Sequence, residues 1–221
     1  MSTPSQSREK ILDHIRVATR SVAKEPDELA NAYAALPRDY VRSGGMTVRA
    51  CHERMIERLR EYDAEVVETT REELPATIAA QLTASGRHKF VVPAGLPSAW
   101  MAEGFDWKVD HGLTSAEIEE AEGVVTGSFC GIADSGTIVL HHSATEGWRV
   151  LSLLPDWHLI VLHASRVVET LPEYFSRCEQ APVLATYISG PSATADIEMT
   201  RIKGVHGPRF LHVVLVRDSV Q

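Results

Sequence analysis

From Asp63 onward, short apolar runs rich in β-branched residues alternate with stretches whose apolar residues recur at helical spacing, and no other feature of the 221-residue chain restricts its fold as much. The spacing predicts strands at 65–69, 89–93, 107–110, 124–126, 137–142, 158–163, 183–188 and 210–216. It predicts helices at 72–84, 115–121 and 169–178. Strands separated by helices imply βαβ units, and right-handed crossovers then build a mainly parallel sheet covered on both faces. The predicted class is α/β.

The lead segment differs. Ile11, Ile15 and Ala18 recur at i, i+4, i+7 within a helix expected over 7–24. Pro26-Asp27-Glu28 opens a second helix that Pro37 ends, since proline suits a first turn and acids favour a helix start. After the joint Ser43-Gly44-Gly45, a third helix is expected from Thr47 to Tyr62 with Cys51, Met55, Ile56 and Leu59 as its apolar stripe. The expected organisation is a helical segment, 1–62, followed by an α/β domain, 63–221.

Composition narrows the partners. A net charge of −8 and a pI near 5.7 argue against a nucleic-acid surface, which usually needs a basic stripe. No apolar run approaches the roughly 20 residues of a membrane helix, and residues 1–7 lack a signal-peptide core, so no membrane association and a cytoplasmic location are expected. Cys51, Cys130 and Cys178 lie far apart with no C-x-x-C, so neither an iron–sulfur cluster nor a structural zinc is expected in this chain. No metal site follows from histidine spacing either: His141 and His142 are adjacent on a predicted strand and point to opposite faces.

Chemistry-bearing residues gather where the run 183–188 ends. Ser189-Gly190-Pro191-Ser192-Ala193-Thr194 is followed by Asp196 and Glu198, then by Gly204-Val205-His206-Gly207-Pro208-Arg209 before the last strand. A glycine with Ser192 or Thr194 as helix cap suits an anion, but neither nucleotide fingerprint is present and the two carboxylates would repel a phosphate. Glu198 is a candidate base or nucleophile, Asp196 an acceptor for substrate hydroxyls, and His206, between glycines, a candidate for proton transfer. Arg149 and Arg209 are candidate anion clamps. The plainer reading is two loops that turn the chain, with Glu198 pairing Arg201 on a helix start. Three polar connections, 127–136, 143–149 and 189–208, are expected to meet at one edge of the sheet.

Three segments in order, Gly131-Ile132-Ala133-Asp134-Ser135-Gly136-Thr137-Ile138-Val139-Leu140, Leu153-Leu154-Pro155-Asp156-Trp157-His158 and Ile188-Ser189-Gly190-Pro191-Ser192-Ala193-Thr194-Ala195-Asp196-Ile197-Glu198, together with Gly204-Val205-His206-Gly207-Pro208, resemble the lactate-utilisation protein C family and its LUD domain. The resemblance covers roughly Ala64 to Arg217 and departs at Ala193, where relatives often carry arginine, so a basic contact is missing there. It implies a three-layer α/β/α sandwich similar to glucosamine-6-phosphate deaminase, ribose-5-phosphate isomerase and CoA-transferases. It also implies a part in oxidising L-lactate to pyruvate beside two partner proteins of the same operon that carry iron–sulfur clusters, with no cofactor in this chain. Family motifs falling in loops add Gly131, Thr137, Ser189 and Gly190 to the candidate substrate-binding residues, alongside Arg149, Ser192, Thr194, Asp196 and Arg209. The alternative is a stand-alone enzyme of the CoA-transferase or sugar-phosphate isomerase kind, using Glu198 and His206 on a phosphorylated or CoA-linked ligand instead of a small hydroxy acid. A regulatory sensor is disfavoured, since no DNA-binding helix pair is visible.

Overall fold

The computed structural model describes residues 4–19, 26–180, 182–194, 202–203 and 207–217, and the chain divides into two units, Met1–Tyr40 and Val41–Gln221. In the first unit, helices α1 (Pro4–Thr19) and α2 (Pro26–Ala34) form where the spacing predicts them. Their apolar residues Ile11, Ile15, Leu29 and Tyr33 stay exposed.

The second unit begins before the third predicted helix. Thr47 caps α3 (Val48–Glu61) by accepting from the Ala50 N–H, and Asp63, in the left-handed region at φ 64°, turns the chain out of it. The stripe Cys51, Met55, Ile56 and Leu59 is buried, and Met55, Ile56 and Leu59 each contribute roughly 1.5–3 kcal/mol. This helix therefore belongs to the core of the α/β unit, and the division falls ahead of it.

Alternation then proceeds through β1 (Glu65–Thr70), α4 (Leu74–Ser85), β2 (Lys89–Pro93), β3 (Asp106–Asp110), α5 (Ser115–Glu119) and β4 (Gly123–Thr126). Next come β5 (Cys130–Ile132), β6 (Thr137–Leu140), β7 (Trp157–His163), β8 (Val167–Val168), α6 (Leu171–Arg177) and β9 (Thr186–Ile188). Two short strands, β10 (Ala193–Thr194) and β11 (Ile202–Lys203), precede β12 (Phe210–Arg217). Capping boxes start both short helices: Thr114 with Glu117, and Thr170 with Glu173.

Six strands form a parallel sheet in the order β1-β12-β7-β4-β2-β3. On one face Trp157, Leu159, Val161, Val214 and Phe90 pack on Leu74, Ile78 and Leu82 of α4. On the other, Ile160, Leu162, Leu211 and Val213 pack on the α3 stripe and on Ala133, Ile138 and Leu140. The result is the predicted α/β architecture, a parallel sheet covered on both faces.

A second sheet, β8-β5-β6-β9, departs from the βαβ pattern. Within it β6 runs antiparallel to both β5 and β9. The chain reverses between β5 and β6 at Gly136 (φ 62°), with no helix between them. The predicted strand 183–188 pairs only over its last three residues, and Val183 is fully exposed, because β9 is an edge strand that follows Pro182. Among the described residues no helix is long and apolar enough to cross a membrane.

Candidate functional site

The connection that enters β12 must lie at the amino end of that strand, and β7 runs parallel beside it, so the polar loop is set against the amino ends of both. There it closes a cleft of about 140 Å³ lined by Arg149, Ser152, His158, residues 186–192, Gly207, Pro208 and Leu211. Two of the three expected connections meet here, the one ending at Arg149 and the one from Ser189 to Pro208. The segment 127–136 does not, because it holds β5, the buried hairpin partner of β6.

Backbone geometry fixes the rim. Ser192 N–H donates to the Pro208 carbonyl at 2.8 Å, joining the two ends of the connection. Gly190 sits at φ 93°, and a Cβ there would come within 2.6 Å of Tyr62 Cβ, so both the dihedral and the space require glycine.

Behind the rim, the segment 141–147 holds β9 in place. His142, at φ 57°, contacts the Gly147 carbonyl through Nδ1 at 2.8 Å and Thr186 Oγ1 through Nε2 at 2.9 Å. The carbonyl can only accept, so Nδ1 carries a proton and donates it to Gly147. Buried Glu146 accepts from the His141 N–H, while His141 stacks on Phe129 and bonds the Tyr174 hydroxyl through Nε2 at 2.8 Å. Tyr187 O–H reaches the same Tyr174 hydroxyl at 3.3 Å. Burial pushes the His141 pKa down and raises that of Tyr174, so both rings favour their uncharged forms.

The floor carries the electrostatic signature. Arg149 is half-buried, Nη1 donates to Ser152 Oγ at 3.0 Å, and no carboxylate among the described residues pairs with it. Burial lowers its pKa. His158 is 1% exposed; its Nε2 lies 2.8 Å from Thr126 Oγ1, and its Nδ1 has no partner among the described residues. Burial, and then the charge of Arg149, push its pKa down to about 3, so the ring is neutral near pH 7.

The structure brings four of the sequence-predicted residues together: Arg149, Ser189, Gly190 and Ser192. Thr137 stands one hydrogen bond behind, its Oγ1 2.7 Å from Ser189 Oγ. Gly131 is placed elsewhere, inside β5, where a Cβ would meet Leu162 and Met55 at 3.0–3.1 Å; it is a packing glycine. Arg209 points outward into a two-pronged pair with Asp156, at 2.5 and 3.0 Å, and this occupies the fork expected to clamp an anion. Thr194 contributes backbone to β10. Asp196, Glu198 and His206 lie outside the described residues.

Sequence reasoning passed over His158, Ser152, Thr186 and Tyr187. The signal for His158 was a lone ionisable residue in the apolar run 157–163. Among the described residues no group of three metal-ligating side chains comes together. The Cys51 and Cys130 thiols are buried and pushed up to about 11, which makes them poor nucleophiles.

Comparison with known proteins places this chain in a family context. Residues 52–216 match the LUD domain. Lactate utilization protein C of Deinococcus radiodurans is 39% identical over 166 residues, covering 72% of this chain and 76% of that protein. Its namesake in Bacillus pumilus is 30% identical over 239 residues, covering 96% and 97%. The crystal structure of a DUF162 family protein from Deinococcus radiodurans, 31% identical, superposes with a TM-score of 0.63 over 78% of this chain and 99% of that one.

Proposed function

The chain belongs to the LUD-domain family, and from that premise we propose that it serves lactate utilisation as a cluster-free component in the oxidation of L-lactate to pyruvate, beside iron–sulfur partner proteins that carry the redox centres. The names of its relatives support the pathway. The observation that carries the reading to this molecule is Arg149, a half-buried cation with no carboxylate partner among the described residues, facing a cleft of about 140 Å³. A cation withdrawn from water without a counter-ion favours an anionic ligand. The volume is well below the roughly 300–1,000 Å³ of sites for drug-sized molecules, so a small acid fits better than a CoA ester.

Deleting the gene and supplying L-lactate as the sole carbon source tests this function. Growth is expected to fail and to return with the wild-type gene. Affinity purification from lactate-grown cells is expected to bring down proteins containing iron and acid-labile sulfide. Normal growth of a deletion strain without a paralogue overturns the pathway role, and recovery of the chain without such proteins overturns the partnership.

A further inference from the structure

Away from the cleft, we propose that the chain pairs with a second copy by exchanging arms, helix α1 of each copy lying in an apolar groove on the α/β unit of the other. The groove, of about 870 Å³, is lined by Val41, Ile132, Leu171, Pro172, Phe175 and Tyr187. Leu171, Phe175 and Tyr187 are 46%, 54% and 47% exposed, so three large apolar side chains share one open surface. Contiguous apolar patches of this kind mark interaction sites, because leaving them in water costs the burial they could gain.

The arm supplies a matching face. Ile11 and Ile15 of α1 are 60% and 53% exposed. At 16 residues α1 is near the shortest length at which an isolated helix persists in water, so an apolar stripe on it calls for a covering surface.

Charge selects this occupant. The charged side chains lining the groove are Asp134 and Glu169, both acidic. Arg8 stands three residues before Ile11 and seven before Ile15, which puts it on the same face of α1 as the two isoleucines. Glu9 and Asp13 fall on the other side, where Asp13 accepts from Arg16 Nη1 at 2.8 Å. A face of apolar residues with one cation thus meets an apolar groove whose charges are acidic. Glu169 already accepts from the Met46 N–H at 2.6 Å, so exposed Asp134 is the partner assigned to Arg8. Each copy carries one arm and one groove, and a reciprocal pair covers both and closes with twofold symmetry.

Light scattering of the full chain after size exclusion tests the pairing, and a mass twice 24.3 kDa is expected at micromolar concentration. Ile11→Asp, which spoils the arm, and Phe175→Asp, which spoils the groove, are each expected to run as monomers. Mixed in equal amounts they are expected to pair again, more weakly than wild type. The intact arm of the Phe175→Asp chain then fits the intact groove of the Ile11→Asp chain. Arg8→Glu is expected to weaken pairing by about tenfold, and combining it with Asp134→Arg to restore it.

A monomeric wild type overturns the proposal. Slow amide exchange in α1 of that monomer would seat the arm in the groove of its own chain, and fast exchange would leave the groove to another protein. A Phe175→Asp chain that stays dimeric overturns it too, since arm would then meet arm, as does a mixture that stays monomeric. Should Phe175→Asp fail to fold, the charge exchange decides alone, because Arg8 and Asp134 are both exposed. Pairing that Arg8→Glu leaves unchanged, or that Asp134→Arg does not restore, overturns the proposal.

Discussion

His158 Nε2 and Thr126 Oγ1 meet at 2.8 Å across neighbouring strands, and sheet register puts them there. Val124 stands opposite His158 in the β4–β7 ladder. Thr126, two residues further on, projects from the same face as Val124 and so reaches the ring. His158 is therefore fixed by rigid strands, whereas Arg149 beside it and the rim of the cleft are carried by loops.

The buried ring makes stability depend on pH in a definite direction. Its folded pKa, about 3, lies below the ordinary histidine value of 6.5, so the unfolded chain takes up a proton that the folded chain does not. Stability is full above that ordinary value and is lost as pH falls through the window between the two. Between pH 6.5 and 5, before carboxylates titrate, this one group is expected to cost on the order of 2 kcal/mol. Urea unfolding of His158→Gln against wild type checks it: the variant should show the shallower fall, and parallel curves would mean that the ring is solvated.

Gly190 provides a test of the rim. Alanine there meets both a left-handed φ of 93° and Tyr62 Cβ at 2.6 Å, whereas alanine at Gly86 meets a φ of 67° and nothing within 4 Å. Gly86→Ala should cost about 1 kcal/mol from the dihedral alone, and Gly190→Ala about 2–3 kcal/mol. Chemical denaturation of both variants measures the difference, and equal costs would show that the Tyr62 contact relaxes freely.

Much of this structure was legible in the sequence, and the exceptions have physical causes. Helices α5 and α6 were legible because the apolar spacing that marks a helix is local. The strand β5 was invisible: Cys130-Gly131-Ile132 is three residues long, carries a glycine, and sits in a stretch that reads as polar. Arg149, Ser189, Gly190 and Ser192 stood out because glycine, proline and hydroxyls interrupt apolar runs. His158 did not, since a strand interior reads as core, and its partnership with Thr126 depends on β4 lying beside β7, which no local pattern encodes.

The carboxylate of Glu173 ties the joint before α3 to the start of α6. It accepts from Gly44 N–H at 2.7 Å, Glu169 N–H at 2.8 Å and Thr170 N–H at 3.2 Å. Burial raises its pKa, but the backbone donors of Gly44, Thr170 and Glu169 outweigh that and leave it lowered. Glu173→Ala removes the return half of the capping box and should cost about 1 kcal/mol. Hydrogen exchange should quicken at the Gly44 amide and stay unchanged in β7; protection at Gly44 equal to wild type would show that the Met46–Glu169 bond, 2.6 Å, holds the joint alone.

Arg149 and Arg209 looked interchangeable as anion clamps, and their surroundings separate them. Arg209 is 55% exposed at its side chain and already paired in two places with Asp156, a surface ion pair of the kind that contributes little to stability. Arg149 is half-buried, held by a serine, and faces the cleft with its charge uncompensated among the described residues. Arg209→Ala is therefore expected to leave both L-lactate binding and the urea midpoint close to wild type. Arg149→Lys keeps the charge but replaces the planar fork with a single point donor, and should weaken L-lactate binding by about tenfold. Titration of both variants decides the assignment: a loss with Arg209→Ala and none with Arg149→Lys would move the anion site out of the cleft to the Asp156 surface.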